Sequence, residues 1–125
     1  MNENVKRWVA ALRSGEYEQG RKALRSIDDK FCCLGVACEL SREELDLDLY
    51  YTRPDPDGNP TEVLYDGSHG ALPKKTMKWL GLNFPVGSFC IGPEGHNLAC
   101  LNDDGMTFDQ IADVIEYGPN GLFDS

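Results

Sequence analysis

The side chains best suited to chemistry in this sequence are five cysteines and two histidines: Cys32, Cys33, Cys38, Cys90, Cys100, His69 and His96. Structural zinc sites pair their ligands at C-x2-4-C spacing. Here there is an adjacent pair, one five-residue step and two distant singles. That pattern suits thiols packed in a core, free cysteine being among the most buried residue types. A nucleophilic cysteine needs a depressed thiol pKa and a histidine within reach. Cys32 and Cys33 fall in the first turn of a predicted helix, which is the right place, but nothing in the sequence supplies the rest of a catalytic group. No triad, metal motif or phosphate loop is recognisable, so no catalytic residue, metal or cofactor is assigned. An odd number of cysteines in a chain of ordinary size also argues for reduced thiols over a disulfide framework.

Two further clusters could hold ions. Asn102, Asp103, Asp104 and Gly105 resemble a fragment of a calcium loop, but such a loop needs a glutamate at its twelfth position, and residue 113 is an aspartate inside a predicted helix. The alternative is a helix C-terminus, a turn with Gly105 at positive φ, and then a helix cap at Thr107. The second cluster is basic. Arg13, Arg21, Lys22 and Arg25 surround Tyr17 and Gln19, a set able to hold a phosphate by charge-assisted hydrogen bonds while the tyrosine stacks on a base. Local acids such as Glu16 and Glu18 are competing partners. Lys74, Lys75 and Lys78 read as a solvated helix face.

Charge sets the frame for these sites. The 125 residues carry a formal charge of −9, which argues against direct binding of nucleic acid, since there is no cation excess to release counterions. The distribution is uneven. Residues 1–30 hold seven Lys or Arg against five acids, whereas residues 31–72 hold two against nine. A local anion site is therefore possible inside an acidic molecule. Conversely, the acidic stretch from Glu39 to Asp66 could mimic nucleic acid and occupy a host enzyme's basic groove.

The elements that must position these groups follow from periodicity. Val5, Trp8, Val9 and Leu12 recur at helical spacing behind Asn2 as cap, predicting a helix over 3–13. Residues 16–29 read as loop with a short strand. FCCLGVACEL is the most apolar run and predicts a helix over 30–41, capped by Asp28 or Asp29. Gly35 inside it implies the close approach of another backbone. Alternating segments on either side of PDPDGNP predict a hairpin over 45–66, and the GPEG turn predicts a second over 84–100. LPKKTMKWLG predicts a helix over 73–80 ended by Gly81. Thr107 and Gln110 form a capping box ahead of a helix over 107–117, whose Phe108, Ile111, Ala112 and Ile115 make one apolar stripe. The tail GPNGLFDS either docks through Leu122 and Phe123 or offers a contact patch. The expectation is a single α+β domain spanning residues 1–125, with about four helices packed on a small antiparallel sheet. Trp8, Leu12, Cys33, Leu34, Ala37, Trp79, Leu101, Phe108, Ile111 and Ile115 are its expected core.

WVAALRSGEYEQ (8–19), FCCLGVACEL (31–40), LPKKTMKWLGL (72–82) and LNDDGMTFDQIADVIE (101–116) resemble an uncharacterised family of small bacteriophage and prophage proteins, with its CCLGVxC and LNDxGxxFxxIADxIE motifs. These segments cover somewhat under half of the chain. The resemblance implies a phage-type origin and, with it, a counter-defence or host-takeover role. It carries over no catalytic residue.

Together these observations favour a non-enzymatic binding protein. The first expectation is that it sequesters a small phosphate-bearing, nucleotide-like ligand through Arg13, Tyr17, Gln19, Arg21, Lys22 and Arg25, at a homo-oligomer interface. The alternative is an acidic protein inhibitor of a host enzyme. With no signal sequence or membrane span legible, the expected location is the cytosol, that of the host if the protein is phage-encoded.

Overall fold

A computed structural model describes residues 2–52, 56–59 and 61–123. Helix α1 (Glu3–Arg13) starts where the Asn2 side chain accepts the Val5 N–H at 2.7 Å, and it buries Val5, Trp8, Val9 and Leu12. The segment after it, read as loop with one short strand, forms three strands of two residues each: β1 (Glu18–Gln19), β2 (Arg25–Ser26) and β3 (Lys30–Phe31).

Helix α2 (Cys33–Ser41) starts three residues later than its apolar run suggests, because Lys30 and Phe31 pair in the sheet instead of coiling. Its cap is the Cys32 sulfur, which accepts the Gly35 N–H at 3.4 Å; neither Asp28 nor Asp29 serves. Residues 33–38 are all buried, as their unbroken apolar character requires. Gly35 meets the expected backbone: a Cβ there would lie 1.7 Å from the Leu24 carbonyl oxygen. The Trp8 indole N–H donates to the Cys33 carbonyl at 2.8 Å and ties α1 to the start of α2.

The first hairpin is β4 (Leu49–Thr52) with β5 (Glu62–Tyr65). Helix α3 (Lys74–Leu80) follows Pro73 and ends on Gly81 at φ +75°. The second hairpin is β6 (Ser88–Ile91) with β7 (Glu94–Asn97), in register Phe89 to His96 and Ile91 to Glu94. A short helix, α4 (Leu98–Asp103), then leads through Gly105 at φ +105° to α5 (Phe108–Tyr117), whose Thr107 and Gln110 form the expected capping box.

The architecture is α+β; among the described residues there are five helices, and the strands form two sheets instead of one. The larger is mixed, in order β1-β3-β2-β5-β4, with β1 and β3 parallel; β6 and β7 stand apart as a two-stranded sheet. Around a core shared by α1, α2, α4 and α5, nine of the ten expected core residues are buried. Leu101 is the exception, half-buried at the molecular surface. The tail docks: Leu122 is fully buried, and the Asn83 side-chain amide donates to the carbonyls of Gly121 and Phe123. Among the described residues no helix is long and apolar enough to cross a membrane.

Candidate functional site

The six residues of the basic group face different elements. Arg13 leaves the end of α1 to bridge Asp113, at 2.5 Å, and Glu116 on α5, and these bonds raise its pKa. Tyr17 is half-buried with its ring edge-on to Phe31 at 5.3 Å, and burial raises its phenol pKa. Gln19 donates to Asn102 Oδ1 at 2.9 Å and to the Met106 carbonyl at 2.7 Å, joining β1 to α4.

Arg25 is the centre of a polar network on the larger sheet. It holds Asp29 at 2.7 Å and Glu39 at 3.4 Å, and its guanidinium lies over the Phe31 ring at 5.3 Å. Burial works against its charge, but bonds to Asp29 and Tyr65 outweigh it and hold the pKa above the ordinary value. Arg21 and Lys22 are exposed, and no ion pair joins either side chain to an acid among the described residues. Lys22 adopts φ +65° and gives its backbone N–H to Asp103 at 2.8 Å.

The Asn102–Gly105 cluster is occupied by the protein itself. Asn102 is fully buried: its Oδ1 accepts from Gln19 and from the Cys33 N–H at 3.2 Å, and its Nδ2 donates to the Gly20 carbonyl at 2.8 Å. One amide thus joins β1, the start of α2 and α4. Among the described residues no three His, Cys, Asp or Glu side chains are grouped to hold a metal ion.

The cysteines divide by depth. Cys32, Cys33 and Cys38 are buried and free, whereas Cys90 and Cys100 are free and exposed. Burial raises the Cys32 thiol to about 11, and it holds Cys33 and Cys38 well above 9. Lying at a helix start therefore does not make Cys32 a thiolate at neutral pH, because desolvation exceeds what the first-turn N–H groups return. A native thiol titration at neutral pH should modify Cys90 and Cys100 quickly and the other three only on denaturation. Because the folded state binds the Cys32 proton more tightly than the unfolded chain does, this group's contribution to stability is full below about pH 9 and is lost as the pH rises toward 11. A denaturation midpoint that stays flat from neutral pH through that window would contradict the assignment.

An open groove of about 440 Å³ lies between the β6–β7 hairpin and α5. Phe89, Ile91, Leu101, Met106, Val114 and Tyr117 supply its apolar lining, and Asp113 and His96 its polar groups. Ile91 is 60% exposed and Tyr117 84%, a degree of exposure that in large apolar side chains grouped at one place marks interaction surfaces. His96 stacks on Phe89 with centroids 5.6 Å apart, and its Nε2 lies 3.5 Å from Glu94. Sequence reasoning missed this site, although one signal was present. Val114 and Tyr117 fall outside the buried stripe of α5: Val114 packs half-buried against the margin of the core, and Tyr117 carries the apolar face of the helix on into solvent.

A family model described as a domain of unknown function (DUF8296) matches residues 1–118. No curated protein and no solved structure matches the chain.

Proposed function

The chain belongs to the DUF8296 family, and we propose that it is a non-catalytic binding protein of phage type, acting in counter-defence by seating part of a host protein in the groove between α5 and the β6–β7 hairpin. One observation carries this reading: Ile91 and Tyr117 stand open to solvent in a groove whose lining is mainly apolar. Leaving such surface in water opposes solubility and returns free energy only when a partner covers it, at roughly 25 cal/mol per Å² of apolar area. The phage context rests on the four segments that resemble small phage proteins.

The test is an affinity capture from host lysate with the native protein and with Ile91→Ser/Tyr117→Ser. Both positions are exposed, so the double variant should keep its thermal midpoint. A host protein retained by the native form and lost with the variant supports the reading. Identical captured sets would end it.

A second reading retains the small phosphate-bearing ligand. The observation in its favour is that Arg21 and Lys22 are exposed without an acidic partner among the described residues, while Arg13 and Arg25 are held in bonds. Calorimetry with a nucleoside diphosphate should then give heat with the native protein and none with Arg21→Glu/Lys22→Glu. Equal traces for the two proteins would remove this reading.

A further inference from the structure

Resting on that reading of the groove, we propose that its occupant is a cationic amphipathic helix of the partner protein, with apolar anchors seated between α5 and the hairpin and Lys or Arg along its flanks.

Charge carries the first half of the argument. From Trp79 to residue 125 the sequence contains seven Asp or Glu and no Lys or Arg. Every element bordering the groove, β6, β7, α4 and α5, comes from that stretch. Asp113 lines the groove and Asp109 lies one turn before it on α5, whereas Glu116 lines a separate cavity beside Val5 and Leu80; Glu94 beside the hairpin turn has a side chain that is 76% exposed. Cations approach from elsewhere in the chain, among them Lys22, whose backbone N–H reaches Asp103. Arg13 is bound by both Asp113 and Glu116, and Arg21 rests its guanidinium against Gly105. The surroundings of the groove thus keep an excess of acids, and Asp113 and His96 stand in a wall that is otherwise apolar. An apolar anchor supplies affinity in such a site, and acids around it select and steer a basic partner.

Backbone geometry carries the second half. Phe89, Ile91 and His96 lie on one face of the hairpin, Phe89 opposite His96 and Ile91 two residues further along the same strand. The groove is therefore walled by the side-chain face of a sheet and the flank of a helix. It presents side chains where strand addition would need a row of free backbone N–H and C=O groups, which makes it a receptor for a helix face.

The test uses labelled peptides of about 18 residues, or about five helical turns, in fluorescence anisotropy with the full chain. One peptide carries Leu at helical spacing with Lys elsewhere, a second replaces every Lys by Glu, and a third keeps the Lys but replaces Leu by Ser. The Leu/Lys peptide should bind the native protein at least about tenfold more tightly than either of the others. It should lose about tenfold on Tyr117→Ser/Ile91→Ser, and it should weaken as salt rises from about 50 to about 500 mM, where exposed charges are screened.

Equal binding of the Leu/Lys and Ser/Lys peptides would reduce the effect to bulk charge and overturn the proposal. Equal binding of the Leu/Glu and Leu/Lys peptides would overturn it too, yet leave the groove as a partner site if host-protein capture still depends on Ile91 and Tyr117. Binding of no peptide would also reject the cationic helix. Sedimentation of the protein alone guards against self-association: a dimer abolished by Tyr117→Ser/Ile91→Ser would assign the groove to a second copy and reject the proposal.

Discussion

Replacing Gly35 by alanine should destabilise the protein severely. The added Cβ would sit 1.7 Å from the Leu24 carbonyl oxygen and 2.6 Å from its carbonyl carbon, and both atoms are backbone. A side chain could rotate away, but this carbonyl cannot, because it also accepts the Cys32 N–H at 3.2 Å where β2 passes over the start of α2. Overpacking a tight core commonly costs about 1–3 kcal/mol. A clash this deep against fixed backbone belongs at or above the top of that range, a large part of the roughly 5–15 kcal/mol that holds a typical domain together. Elsewhere in helices Gly→Ala usually stabilises, so here the sign itself is informative. Urea denaturation should show the loss for Gly35→Ala and almost none for Gly95→Ala, where nothing lies within 4 Å of the added atom. Equal midpoints for the two variants would mean that the Leu24–Gly35 crossing is looser than described.

Asn102→Ala should come second. It removes an acceptor for the buried Cys33 N–H and a donor to the Gly20 carbonyl in one step. Each buried polar group left without a partner costs about 1–3 kcal/mol, so the variant should lose about 3 kcal/mol or more. Gln19→Ala is the graded control. Gln19 is only half-buried, so water can replace part of what is lost, and its removal should cost less than half as much. If Gln19→Ala proved as damaging as Asn102→Ala, the amide of Asn102 would not be the joint between β1, α2 and α4.

These two positions show what the sequence makes legible. Gly35 stands out because glycine in an apolar helical run has a cost that only a close neighbour explains, and the helices, both hairpins and the capping box follow from patterns several residues long. The three two-residue strands do not, since two residues carry no period and their partners lie up to 38 residues away. Helix α4, with six residues, is too short to show an amphipathic stripe. Asn102 and its neighbours look like cation ligands in sequence because the same oxygen-rich residues serve buried turns equally well.

The candidate site is legible only in reverse. The basic group is conspicuous in sequence, but arginines reach far, and Arg13 finds Asp113 a hundred residues away. The groove is inconspicuous because its lining is scattered: β6 and α5 each give two apolar residues, α4 gives one and β7 only His96. In the segments with the clearest motifs, Gly35, Asn102, Gly105 and the Thr107–Gln110 box all serve the fold.

The joining of α1 and β1 to α4 and α5 also bears on how the chain reaches its fold. Arg13 with Asp113, Gln19 with Asn102 and Lys22 with Asp103 span sequence separations of 100, 83 and 81 residues. Closing such long loops costs entropy before any contact rewards it, and high contact order slows folding. The local hairpins can form early, but the search that unites the two ends of the chain should set the folding rate, and neither half should hold its shape without the other.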